Sequence, residues 1–218
     1  INNKNTVPEI FSSIEEKNAS IFYELCSVIG DLASMNAIQF SELGSDLINE
    51  IYNSYNNPLS VTHSGLFFNK KKVQRLKYKW HQESSYFPQH KIGFHIWYPL
   101  FNDVKKTGGP MLLKKSSHKN NYNYKMWSVK NGVTQLEINN KYIDKYETVE
   151  CNVKVGDVVI FDHKLVHCTK EVVNNSIPRV AGIRRFVGNQ SSRMIPCSIR
   201  LNLKANSKKT NLIKKKSK

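Results

Sequence analysis

The chain has 218 residues, 39% of them hydrophobic and 11% aromatic, which suits one domain with a sizeable core and excludes a disordered chain. Lysine and arginine number 33 against 17 acidic residues, a net charge of +16. No apolar run reaches the roughly 18 residues that a membrane-spanning helix needs.

The chain opens at Ile1, with no methionine and no basic-then-apolar leader pattern, so either a segment was removed upstream or the sequence is a fragment. Residues 7–33 read as helix, with Thr6 as cap and Pro8 in the first turn, where a missing N–H is tolerated. Ile10, Phe11, Ile14, Ile21, Leu25, Val28, Ile29 and Leu32 supply its apolar period, and Asn18 to Ser20 is the place where it can break. A second helix is expected from Ser41 to Tyr55, ended by "NNP" at 56–58.

From about residue 60 the texture changes to short apolar or alternating runs separated by turn residues. "GLFFN" (65–69), "VQRLKYKW" (73–80), "IGFHIWYPL" (92–100), "GPMLLK" (109–114), "TVECNV" (148–153), "DVVIFDH" (157–163) and "RVAGIRRFVG" (179–188) are the expected strands. Helices followed by many short strands predict a mainly β fold with flanking N-terminal helices, its core a jelly-roll barrel over about 60–190. The polar, tyrosine-rich stretch 119–145 reads as an excursion over the barrel, a candidate lid.

Seven lysines fall in the last stretch, "KANSKKTNLIKKKSK" (204–218), which reads as a disordered basic tail. The expected organisation is therefore one domain over 1–203 plus this tail, with about +9 of the +16 left on the body. Such a charge suits a solvated lysine-rich surface, an anionic small molecule or a polyanion. No helix-turn-helix, finger or RNA-binding signature accompanies it, so nucleic acid is not the expected partner. Cys26, Cys151, Cys168 and Cys197 are irregularly spaced with no C-x-x-C pair, which points to free thiols in a reducing compartment, the cytoplasm, and away from a cysteine zinc site.

"KWHQESSYFP" (79–88) places His81 and Glu83 two residues apart. In an extended segment both project from one face. An imidazole beside a carboxylate is two-thirds of the facial triad that holds non-haem iron(II) with three positions open. The third ligand would be a histidine from a distant strand, and "FDHKLVHCT" offers His163 and His167. His90, His95 and His118 are less well placed. Alone, H-x-E is also what a surface ion pair looks like.

Four motifs in order raise the specificity. "WHQESSYFP" (80–88), "GGPMLLKKSSHK" (108–119), "GDVVIFDHKLVHCT" (156–169) and "RVAGIRRF" (179–186) resemble segments of the phytanoyl-CoA dioxygenase family of iron(II)- and 2-oxoglutarate-dependent oxygenases. That resemblance implies a double-stranded β-helix of the cupin-like kind. It also implies an enzyme that hydroxylates a small molecule using O2 and 2-oxoglutarate, with release of succinate and CO2. It makes His81, Glu83 and His167 the iron ligands and catalytic centre. Arg179 and Thr169 would bind the distal carboxylate of 2-oxoglutarate, an anion that a guanidinium fork grips well, with Trp97 near the cosubstrate. Gln82 would lie near the metal-bound water or substrate. Two departures stand out: Glu83 replaces the family's aspartate, and Lys114-Lys115 replaces its Pro-Gly. A glutamate here argues against halogenation, which uses a site left open by a small residue.

Strand parity adds that Arg179, Ala181, Ile183 and Arg185 face inward while Arg184 faces out, making Arg185 a candidate for a second anionic group, carried by substrate. By the same parity Gly93, His95 and Trp97 line the pocket, while Ile92, Phe94 and Ile96 pack behind. His95 and His163 read as hydrogen-bonded histidines rather than ligands. Tyr86 and Phe87 are either substrate-facing or core. Two alternatives to an oxygenase remain at this point: a barrel that binds metal or ligand without catalysis, and a basic polyanion-binding module.

Overall fold

The computed structural model describes residues 6–30, 46, 50–51, 59–61, 65–71, 77–128, 134–174, 177–188 and 199–200. The helix expected over 7–33 is two helices, α1 (Val7–Lys17) and α2 (Ala19–Gly30). Asn18 separates them with φ −156° and ψ 88°, and its side-chain oxygen accepts the Ile21 N–H at 3.2 Å, which starts the second helix. The break resets the helical phase. Phe22 and Cys26 turn to the core, whereas Ile21 (52% exposed), Leu25 and Val28, expected on the buried stripe, face outward. Of the helix expected from Ser41 to Tyr55, only Asp46, Glu50 and Ile51 are described, and they are helical. The tail after 203 lies outside the described residues.

The strands are β1 (Leu59–Val61), β2 (Gly65–Asn69), β3 (Ile92–Pro99), β4 (Met111–Lys114), β5 (Tyr124–Ser128), β6 (Thr134–Ile138), β7 (Thr148–Cys151), β8 (Val159–Asp162), β9 (His167–Thr169), β10 (Arg179–Gly188) and β11 (Ile199–Arg200). All pairings are antiparallel. The larger sheet runs β11-β1-β10-β3-β8, with β2 continuing the β1 edge of β10, and a smaller sheet runs β7-β4-β9. The two face each other across a core in which Trp97, Phe161, Ala181 and Ile183 of the larger sheet meet Met111 of the smaller. This double-sheet arrangement is the jelly roll that the strand pattern predicts.

β10 is buried along its whole length because both of its faces are covered. Arg179, Ile183 and Arg185 look into the cavity between the sheets. Val180 packs with Phe22, Cys26 and Phe68 beneath α2, and Phe186 stacks on Phe94 at 4.7 Å between ring centroids. Arg184 lies on the opposite face from Arg185, out of the barrel, but that face is covered and Arg184 is 4% exposed.

Two further expectations need correction. No strand forms over Lys77–Trp80, and residues 72–76 lie outside the described set. The Lys79 carbonyl is taken by the chain's own His81 ring and the Trp80 carbonyl by the Ile138 N–H, so this segment meets β9 through the isolated bridge of His81 with His167 and the Thr169 N–H on the Tyr78 carbonyl, without forming a strand. The stretch 119–145 is also more than a cover. It carries the β5–β6 hairpin, and Ile138 and Ile143 are fully buried against Val166 and Trp80.

Candidate metal centre

His81 and His167 sit opposite each other on the isolated bridge, their backbones exchanging N–H···O bonds of 2.9 and 3.0 Å. Each ring points its Nδ1 at a backbone carbonyl, His81 at Lys79 (2.6 Å) and His167 at Leu165 (2.9 Å). A carbonyl only accepts, so Nδ1 carries the hydrogen and Nε2 keeps its lone pair. Burial and the neighbouring His167 lower the pKa of His81, and Glu83 pulls it back only in part.

Glu83 reaches the same point by a different route from the expected strand. Gln82 is extended (φ −118°, ψ 141°), so residues 81 and 83 do share a side, but Glu83 opens a single helical turn, Glu83–Tyr86. Glu83 is anchored on both flanks. The Gln82 amide donates to the Asn120 and Lys164 carbonyls while its oxygen accepts the Tyr122 N–H, and the Ser84 N–H donates to the His163 carbonyl. Gln82 thus acts as a structural clamp and is not among the residues that line the cavity beside Glu83.

Glu83 Oε1 lies 3.8 Å from His81 Nε2 and 3.6 Å from His167 Nε2, and one ligand atom from each of the three residues falls within 4.8 Å of the others. Burial works to raise the Glu83 carboxyl. The Arg185 guanidinium and the two imidazoles outweigh that and hold it well below the ordinary carboxylate range, so it is ionised. Two imidazole nitrogens and one carboxylate oxygen form a donor set that fits iron(II).

These groups line a cavity of about 190 Å³. Arg179 enters it from the start of β10, 3% exposed. Its Nη2 donates to Asn69 Oδ1 at 2.6 Å and its Nη1 to the Gly109 carbonyl. Among the described residues it meets no carboxylate, and its Nε has no hydrogen-bond partner. Burial lowers its pKa to about 10, which leaves it charged at neutral pH. A buried cation held only by neutral partners fits an anionic ligand. Thr169 and Trp97 line the same cavity, the Trp97 ring 5.8 Å from the guanidinium carbon.

Tyr86 and Phe87 also line it, and Tyr86 accepts the Leu136 N–H on its hydroxyl. Arg185 lines it too, but its Nε is bonded to Glu83 Oε2 at 2.9 Å. His95 and His163 lie behind this site, joined Nε2 to Nδ1 at 2.8 Å. The residues that sequence reasoning missed are Asn69, Gly109 and Tyr78. Asn69 was findable, since an antiparallel register places it opposite Arg179; the other two carry no sequence signal of their role.

The family model for phytanoyl-CoA dioxygenase matches residues 24–181. The chain belongs to the phytanoyl-CoA dioxygenase family. The match takes in His81, Glu83, His167 and Arg179 and stops short of Arg185. Among solved structures, the chain is similar to a non-haem alpha-ketoglutarate-dependent carbocyclase, SnoK, from nogalamycin biosynthesis. That likeness is at 16% identity and a TM-score of 0.51, over 70% of this chain and 57% of that one. It is also similar to the epimerase SnoN, solved with Fe3+, alpha-ketoglutarate and nogalamycin RO, at 12% identity and a TM-score of 0.56, over 74% of this chain and 61% of that one. The chain thus spans about three fifths of the length of these structures. The likeness is one of fold. No curated protein matches the sequence. No helix among the described residues is long and apolar enough to cross a membrane.

Proposed function

We propose that this member of the phytanoyl-CoA dioxygenase family is an iron(II)- and 2-oxoglutarate-dependent oxygenase that hydroxylates a small molecule, with succinate and CO2 as co-products. The observation that carries the proposal is the presence, in one cavity, of the His81–Glu83–His167 donor set and of a buried Arg179 that meets no carboxylate among the described residues. His81, Glu83 and His167 would hold iron(II). Iron(II) with 2-oxoglutarate supplies the O2 activation and the oxidising equivalent that no side chain here can provide. Arg179 and Thr169 would hold the distal carboxylate of 2-oxoglutarate, with Trp97 beside it.

The chain's remaining contribution is position and dryness. Phe67, Tyr78, Tyr86, Phe87, Met111 and Ile183 wall the cavity. Arg179 and Arg185 are the lysine or arginine side chains among the described lining residues, and Arg185 already bonds Glu83. This favours a substrate that presents an uncharged, apolar group to the metal. The cysteines described, Cys26, Cys151 and Cys168, are free, in keeping with a cytoplasmic setting. The reading of a barrel that binds metal or ligand without catalysis rests on Glu83 standing where the family has aspartate, yet its Oε1 lies close to both imidazole nitrogens.

Anaerobic addition of iron(II) and 2-oxoglutarate tests the proposal. A weak visible charge-transfer band is expected in the wild type and not in His81→Ala. No band in either, together with no 2-oxoglutarate-dependent succinate formation, would contradict it.

A further inference from the structure

The two oxygens of Glu83 have different neighbours. Oε1 faces His81 Nε2 and His167 Nε2, while Oε2 accepts a hydrogen bond from Arg185 Nε at 2.9 Å. Both side chains are buried, Glu83 at 5% and Arg185 at 8% exposure. A glutamate has one more rotatable bond than the family's aspartate. Unrestrained, it can turn either oxygen, or both, towards a cation. Arg185 removes that freedom, and its own position is fixed from two sides. It sits on β10 in register with His95 of β3, and its guanidinium lies 5.7 Å from the centre of the Phe87 ring. Phe87 in turn closes the helical turn that Glu83 opens, its N–H donating to the Glu83 carbonyl at 3.1 Å. Ligand, turn and guanidinium are therefore one packed unit.

We propose that Arg185 is a positioning residue that holds Oε2 of Glu83 away from the metal, so that the carboxylate offers Oε1 alone as the third ligand. The inference rests on the iron-site reading above. It assigns Arg185 a task other than receiving a substrate anion, because its charge is already matched by the Glu83 carboxylate, which its Nε holds at 2.9 Å in a buried site. It also accounts for how a chain with Glu83 accommodates one methylene more than its family uses. The geometry matches the general behaviour of groups that orient metal ligands from behind, whose loss typically costs about 10- to 100-fold in metal affinity.

Calorimetric titration of the full chain with Co(II), without O2 or 2-oxoglutarate, tests this with no turnover involved. The proteins compared are wild type, Arg185→Gln, Arg185→Lys, Glu83→Asp and the Glu83→Asp/Arg185→Gln double variant, each checked for folding by thermal unfolding. Arg185→Gln is expected to bind roughly tenfold or more weakly than wild type. Arg185→Lys, which keeps the charge, is expected to fall between them. An aspartate has one methylene less with which to span Arg185 and the metal, so the arginine substitution is expected to cost far less in the Glu83→Asp background. If Arg185→Gln does not fold, Arg185→Lys made in both backgrounds carries the same comparison. Equal binding by wild type and the arginine variant, or an equal cost in both backgrounds, overturns the proposal while leaving the iron site standing. Wild type that binds no better than His81→Ala overturns both.

Discussion

Arg179 carries a full charge in a site where Asn69 and a backbone carbonyl, both neutral, are its partners. A bound carboxylate would therefore gain two charge-assisted hydrogen bonds, together on the order of 3 kcal/mol, or a hundredfold in affinity. Arg179→Met is expected to weaken 2-oxoglutarate binding by about that factor while leaving Co(II) affinity within a few fold, as paired titrations would show; a loss of Co(II) binding as well would point to collapse of the site. At this scale the sequence was most informative where chemistry needs a residue type at a spacing. His81, Glu83, His167 and Arg179 all stand out that way. Gln82 and Arg185 did not, because each is defined by a partner more than 35 residues away: Asn120 and Lys164 for one, Glu83 for the other. Parity put Arg185 inside the barrel, but no pattern in the chain says that the anion it meets is a metal ligand.

The elements hold the site through close approach of backbones and rings. Gly182, on the outer face of β10, lies beneath the Tyr98 ring, and a Cβ there would fall 2.5–2.7 Å from three of its atoms. Gly182→Ala should force Tyr98 aside and destabilise the protein by about 1–3 kcal/mol, read as a lowered midpoint of denaturant unfolding. An unchanged midpoint would mean that the ring swings away freely. Strand limits were legible wherever a run is closed off by turn residues, as with β2 and β10, whose ends agree with the sequence. The described part of the run, 77–80, misled because alternation records which side chains face inward, not whether backbone carbonyls find a ladder; here β9 takes that of Tyr78, while those of Lys79 and Trp80 are used by the His81 ring and β6. The helical stripe over 7–33 misled for a similar reason. One asparagine capping a new helix shifts the phase of everything after it, and periodicity counted across the break assigns the wrong face.

For the whole molecule, the buried histidines make stability depend on pH. Burial lowers the pKa of His81, His95 and His163, the last to about 4. Unfolded histidines titrate near 6.5, so below that pH the unfolded chain binds more protons than the folded one, and stability falls as pH falls. The contribution is fully present above about 6.5 and is lost progressively towards about 4, with His163 alone worth on the order of 3 kcal/mol. Unfolding midpoints of the metal-free protein should therefore drop steadily from pH 7 to pH 5. A flat profile would mean that these rings are solvated or already protonated. The fold class was readable from the order of helices and strands, and the family from four motifs in series. The substrate was not, because the walls of the cavity come from six separated parts of the chain, among them those of Phe67, Tyr78, Trp97, Met111, Thr169 and Ile183. The account stands or falls on where iron and the keto acid bind. A crystal structure of the anaerobic protein with iron(II) and 2-oxoglutarate, the metal located by its anomalous scattering, decides this most directly. It should place iron on His81 Nε2, His167 Nε2 and Glu83 Oε1 alone, with the distal carboxylate of 2-oxoglutarate on Arg179. Iron bound elsewhere, or 2-oxoglutarate away from Arg179, would contradict it.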